Sequence, residues 1–231
     1  MKKLRKFIAA VFGVLLLSAV FTFTGCLADA VADDGSGYPT NGSGSGSGGG
    51  GNGGGTTGTG WALCKNSAYD IFELQVWGDG AGTFNYENKS GYGRFTVTEK
   101  GGGWVGGGLI CADTTKTFNF TGVSKMKFEI RGNVSPKALC IAVQNNQGAS
   151  ARMYPSKTAL TSSANISSLS EEEWKTVEFN VSGAACDVIV YAFCIIVAGD
   201  WGGSFDKNDY FEIKNLDWVD SEGNSVNLSL K

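Results

Sequence analysis

The chain has 231 residues, with 19 Lys+Arg against 22 Asp+Glu, six cysteines and no histidine. Without histidine there is no Ser-His-Asp or Cys-His catalysis and no His-ligated metal. The balance is slightly acidic and no basic stripe is present to neutralise phosphates, which excludes nucleic acid as a partner.

The chain opens on MKKLRK, in which Lys2, Lys3, Arg5 and Lys6 stand without an acid, followed by an apolar run from Phe7 to Phe23. A basic head, an apolar stretch and a small residue before the cut describe a secretory signal over residues 1–25. The run is marginal for spanning a hydrocarbon core of about 30 Å. The next residues, Phe23-Thr24-Gly25-Cys26, resemble a bacterial lipobox, although Phe23 replaces the usual Leu. That resemblance implies cleavage between Gly25 and Cys26 and acylation of the Cys26 thiol. The bland alternatives are an ordinary secreted protein and an N-terminal membrane anchor. Cleavage removes four basic residues and no acid, leaving a net charge near −7. Such a chain has no electrostatic affinity for anionic lipid. The predicted membrane contact is therefore the acyl group alone.

Residues 26–60 are read as the lipid-bearing cysteine and a linker. From Gly35 to Gly60, 14 of 26 residues are glycine, and most of the rest are Ser, Thr or Asn. This composition cannot bury enough apolar surface to offset chain entropy, so a flexible tether with a reach of about 30 Å is expected. Five cysteines follow Cys26: Cys64, Cys111, Cys140, Cys186 and Cys194. Cys140 and Cys194 lie in apolar stretches (ALCIAV, AFCIIV), as buried free thiols do. One disulfide stays open, with no basis for choosing the pair.

Residues 61–231 form one domain. Phe72, Leu74 and Val76 alternate with Glu73, Gln75 and Trp77; Phe95 and Val97 alternate with Arg94, Thr96 and Thr98. Met126, Phe128 and Ile130 alternate with Lys127, Glu129 and Arg131; Val177, Phe179 and Val181 alternate with Glu178 and Asn180. Period-two alternation puts one face on a core and the other toward solvent. The stretch Asp187–Ala198 is apolar on both faces and is predicted as a central strand. A helical turn is expected only over Ser167–Trp174, where Ser170 precedes three glutamates. In the last strand Phe211 and Ile213 have odd parity while Leu216 and Trp218 have even parity. All four reach the core only if a β-bulge falls at Lys214-Asn215. The predicted fold is all-β: an antiparallel sandwich of two sheets.

The order of segments FELQVWGDG, GGGWVGGGLI, FTGVSKMKFEIRG, ALCIAVQN, EEEWKTVEFNVSG and YFEIKNLDWVD carries a further likeness. It resembles the galactose-binding-like jelly-roll carbohydrate-binding modules found beside bacterial polysaccharide enzymes, over nearly all of residues 70–220. The resemblance implies a β-jelly roll and polysaccharide or glycan as the partner. Together with the lipid anchor it implies a monomer held at the cell envelope, at the outer membrane or cell surface. Many of these modules hold a structural calcium with a carboxylate on the final strand. The matching position here is Lys214, so no metal is expected; Lys214 would pair instead with Asp70, Glu73 or Asp79, or stand in solvent.

No cofactor and no catalysis are expected. A glycosidase needs two carboxylates flanking a cleft, about 5–10 Å apart. Glu171, Glu172 and Glu173 are consecutive, and Glu129 and Glu212 are read as solvent-facing. Sugar faces stack on aromatic planes, and sugar hydroxyls need polar partners. Trp201, Tyr154 and Trp104 are the stacking candidates. Arg131, Gln144, Asn146 and Arg152 are the hydrogen-bonding candidates, expected beside them if the strands connect as a meander. Trp174 and Trp218 are read as structural, and Trp77 as outward by parity. A structural or adhesive surface lipoprotein that binds protein rather than sugar is the alternative reading.

Overall fold

A computed structural model describes residues 61–66, 70–113, 115–145, 152–181, 183–184, 189–199 and 201–231. The signal peptide, Cys26, the linker, Asn146 and Cys186 lie outside the described residues.

Twelve strands and one helical turn are present among the described residues: β1 (Phe72–Gly78), β2 (Thr83–Lys89), β3 (Tyr92–Glu99), β4 (Trp104–Cys111), β5 (Phe118–Asn119), β6 (Lys125–Gly132), β7 (Leu139–Gln144), β8 (Met153–Tyr154), α1 (Leu160–Ser163), β9 (Lys175–Asn180), β10 (Tyr191–Ala198), β11 (Tyr210–Val219) and β12 (Ser229–Leu230). One five-stranded sheet has the order β1-β4-β10-β7-β8, and a second has the order β2-β3-β11-β6-β9. Each adjacent pair is antiparallel. From β3 onward the chain alternates between the two sheets, apart from β5, which pairs with β12, and β8, which follows β7 in the first sheet. This yields β4-β10-β7-β8 facing β3-β11-β6-β9, the strand orders of an eight-stranded jelly roll. The edge strands β1 and β2 extend the two sheets, and β5 pairs with β12 at one side.

The alternating strands fold as their parity requires. In β6, Met126, Phe128 and Ile130 are buried while Lys127, Glu129 and Arg131 look outward. Phe95 stacks on Phe211 with ring centroids 5.0 Å apart, and Phe193 meets both Phe95 and Phe128 edgewise or tilted. Trp218 is fully buried, and its indole N–H donates to the Ala192 carbonyl at 2.9 Å. Strand β10 occupies the centre of the first sheet, as its two apolar faces predict.

The expected bulge in β11 is present. The register against β6 slips between Lys214 and Asp217, and Asn215 takes a positive φ of 55°, a conformation asparagine tolerates better than most residues. Phe211, Ile213, Leu216 and Trp218 are all buried as a result. Beyond Ile213, strand β3 no longer flanks β11. The N-terminal residues of the domain take its place there: Leu216 N–H donates to Leu63 O, and Lys65 N–H donates to Leu216 O, each at 2.9 Å.

Two expectations are corrected. Ser167–Trp174 forms no helix. The Ser170 hydroxyl accepts from the Glu172 and Glu173 N–H groups, as a cap would, but no apolar stripe follows to propagate a turn. The helical turn falls instead at Leu160–Ser163, where Leu160 is buried. The chain is also not a meander after β6. Strands β6 and β7 are consecutive yet belong to different sheets, which separates Arg131 from Gln144.

Candidate ligand-binding face

The outer face of the first sheet is built on small residues. In β4, Gly106 and Gly108 point outward and Gly107 points inward. A Cβ on Gly107 would meet the Phe84 ring at 2.5 Å, so its absence admits Phe84 to the core. A Cβ on Gly106 would stand 2.9 Å from Trp77 Nε1, and one on Gly108 would stand 2.9 Å from Tyr191 Cδ1. The Trp77 and Tyr191 rings therefore lie against the bare backbone of β4, their centroids 5.1 Å apart. The Tyr191 hydroxyl donates to Gln75 Oε1. Burial raises the Tyr191 pKa well above the ordinary phenol value, so the O–H stays a donor.

Tyr191 reaches this face through a bulge. The β10 register slips between Tyr191 and Phe193, so Ala192 and Phe193 both enter the core. Tyr191, Cys194, Ile196 and Ala198 then share the outer side. Cys140 of β7 joins them, and Met153 of β8 packs on both halves of this layer. Trp104 and Trp201 cover Cys140, Ile196 and Ala198, and each remains partly exposed. Burial pushes the Cys140 thiol up to about 12 and the Cys194 thiol well above its ordinary value. Both are protonated at neutral pH and are poor nucleophiles.

The loops that carry the tryptophans are fixed by close backbone approach. Asp79 N–H donates to Trp104 O, and Asp79 O accepts from Gly82 and Gly102. A Cβ on Gly101 would fall 2.0 Å from Asp79 O, and its φ is 61°, so only glycine fits there. At the same end of the sheet, where Gly199 N–H donates to Gly103 O at 3.3 Å, Gly202 N–H closes a turn onto Gly199 O around Trp201. A Cβ on Gly203 would strike Ala138 N at 2.4 Å.

The expected site residues divide over the molecule. Trp104, Trp201 and Gln144 share the outer face of the first sheet. Gln144 is buried, is registered opposite both Tyr191 and Met153, and accepts a weak bond from Cys194 Sγ at 3.6 Å. Arg152 is exposed next to Gln144, at the end of the sheet away from Trp104 and Trp201, its N–H bonded to Asn145 Oδ1 at 3.0 Å. Tyr154 is registered opposite Val143 and packs on the main core, so it belongs to the inner face. Two members escaped the sequence reading. The outward parity of Trp77 was legible, but not that it lies on the Gly106 backbone. Tyr191 sits in a strand apolar on both faces, and its parity is reset by the bulge.

Arg131 lies on the second sheet, in a row that crosses three strands. Glu212 is registered opposite both Arg94 and Arg131. Its carboxylate receives Arg94 Nη1 at 3.3 Å and Arg131 Nε at 2.5 Å. The side chain is 3% exposed, which corrects the expectation of a solvent-facing acid. Arg94 stacks over the Tyr210 ring at 3.7 Å and Arg131 over Trp174 at 4.5 Å. Lys214 pairs with Glu129 at 3.1 Å and stands 4.4 Å from the Trp174 ring. Its partner is thus none of Asp70, Glu73 and Asp79. An ammonium at this position does not fit a calcium ligand set, because it repels a cation and occupies the nearest carboxylate.

No protein-family model matches the chain, and no curated protein matches it. Among solved structures the chain is similar to a variant of the family 29 carbohydrate-binding module CBM29-2, at 16% identity. That match covers 64% of this chain and 80% of the other, with a TM-score of 0.38. A CBM29-2 variant complexed with mannohexaose matches at 18% identity, over 64% of this chain and 79% of the other, with a TM-score of 0.39. The family 11 module of the cellulosomal cellulase Lic26A-Cel5E of Clostridium thermocellum matches at 13% identity, over 66% and 91%, with a TM-score of 0.41. Likeness at this level does not bear on what this chain binds.

Proposed function

We propose that the chain is a surface-tethered, non-catalytic polysaccharide-binding lipoprotein that takes glycan on the outer face of its first sheet. The observation that carries this reading is the gathering of Trp77, Trp104 and Trp201, all partly exposed, with Tyr191 on one face of one sheet. The C–H faces of sugar rings pack on such planes. The Gln75 side chain, exposed at the edge, supplies an amide group for hydroxyls. The tryptophans are held by glycine-locked loops and a bare strand, so little side-chain entropy is lost on binding.

In the same reading Cys26 carries an acyl chain, and the glycine-rich segment lets a monomeric domain reach glycan near the cell envelope. In this reading the platform binds sugar and does no chemistry on it.

Affinity electrophoresis of the intact protein through gels of neutral polysaccharides (mixed-linkage glucan, xylan, mannan) tests the platform. Retardation by at least one polymer, lost in Trp77→Ala, is expected. Unretarded migration in all of them favours the adhesive, protein-binding alternative. Detergent partitioning of Cys26→Ser tests the anchor: wild-type partitioning of this variant rules out lipidation.

A further inference from the structure

We infer that the outer face of the second sheet is a separate site for anionic groups on a glycan, carboxylate or sulfate, read by Arg94 and Arg131. The inference does not rest on the platform of the first sheet. It begins with Glu212, a carboxylate almost completely buried on the outward side of a sheet. Nothing in the core requires a charge there. A buried ion pair contributes little net stability compared with apolar residues of similar size. What the carboxylate does accomplish is geometric: it fixes two guanidinium groups side by side across three strands.

Both guanidiniums keep donors to spare. Arg94 gives Glu212 one N–H and Arg131 gives it another, with the Tyr92 hydroxyl as a further partner of Arg131. A guanidinium carries five such donors in a rigid fork. The two arginine side chains are 32% and 23% exposed, so part of each fork meets solvent. The other carboxylates nearby are engaged elsewhere: Glu87, registered opposite Arg94, pairs with Lys89 at 2.9 Å, and Glu171 accepts from the Tyr210 hydroxyl at 2.7 Å. Tyr210 and Trp174 support the flat faces of the forks, and such pre-organised planar donors match carboxylate and sulfate oxygens.

The test is affinity electrophoresis of the intact protein at physiological salt, which screens non-specific attraction, in gels of polygalacturonate, dextran sulfate or neutral dextran. Retardation by polygalacturonate marks a carboxylate ligand, and by dextran sulfate a sulfate ligand; neutral dextran should not retard. Arg131→Lys keeps the charge beside Glu212 but removes the fork. It should weaken retention by roughly tenfold, the loss of about one charge-assisted hydrogen bond. Trp174→Ala, a change outside the core, should weaken it as well. Trp77→Ala should leave acidic retention unchanged, which separates this site from the platform. Retention of neither acidic polymer, equal retention by Arg131→Lys, or its loss in Trp77→Ala overturns the inference.

Discussion

The Trp77 and Tyr191 rings, 5.1 Å apart, come from strands that are not neighbours; β4 runs between them. They touch only because β4 offers Gly106 and Gly108 beneath them. A side chain at either position would stand between the rings and the sheet. Three bare residues in the middle of a sheet weaken a strand, and here they make room for large rings on both faces.

Trp77→Ala and Trp201→Ala should each weaken glycan retention by about 1–3 kcal/mol, on the scale of aromatic stacking against other planar ligands. Trp201 covers Cys140, Ile196 and Ala198, so Trp201→Ala should also lower the melting temperature by a few degrees. Calorimetric titration and thermal unfolding on the same samples separate the two effects. Unchanged affinity in both variants would place the glycan elsewhere.

Gly108→Ala tests the floor of the platform. The added Cβ would lie 2.4 Å from Phe193 O and 2.9 Å from the Tyr191 ring. The ring can swing away, but the backbone oxygen belongs to the paired strand and cannot move cheaply. Overpacking of this kind should cost about 1–3 kcal/mol in urea unfolding. Tyr191 should also lose its fixed environment, seen as a weaker near-ultraviolet dichroism. A stability equal to the parent would contradict the close packing described.

Much of the sandwich was legible in the sequence because each strand states its own parity. KMKFEIRG announces a half-buried strand, and the parity change between Ile213 and Leu216 announces the bulge in β11. The partner of each strand was not legible, since pairing is set by long-range packing rather than by neighbours in the chain. Arg131 was therefore placed beside Gln144, though a jelly roll puts them on opposite sheets. Glu212 was misread for the same reason. An outward acid is ordinarily solvated, and only the register that sets it between Arg94 and Arg131 buries it. Tyr191 was hidden because a strand with two apolar faces does not reveal where its register slips. Trp104 and Trp201 were recoverable, because tryptophan among glycines has no alternation to draw it into a core.

Chelation should not destabilise the protein. Lys214 holds Glu129 at 3.1 Å in the place where a final-strand carboxylate would bind calcium. Thermal unfolding with and without EDTA should superimpose. A fall of several degrees on chelation would reveal a calcium site elsewhere in the chain.

Acid should weaken the anchorage of the β11 bulge. The Glu129 carboxylate accepts Asn215 Nδ2 at 2.7 Å and pairs with Lys214. The Asn215 hydrogen bond, and then Lys214, hold its pKa below the ordinary carboxylate value. A depressed folded-state pKa means that the unfolded chain binds the proton more tightly. The stabilisation is therefore fully present above the unfolded value of about 4.3, and it is lost as the pH falls through the lower folded value. Glu129→Gln keeps an oxygen acceptor for Asn215 but cannot titrate. The gap in melting temperature between parent and Glu129→Gln should be widest at neutral pH and should shrink below about pH 4. The site is partly exposed, so salt should narrow the gap as well. A gap independent of pH would show that the carboxylate charge contributes nothing to holding Asn215 and Lys214 at the bulge.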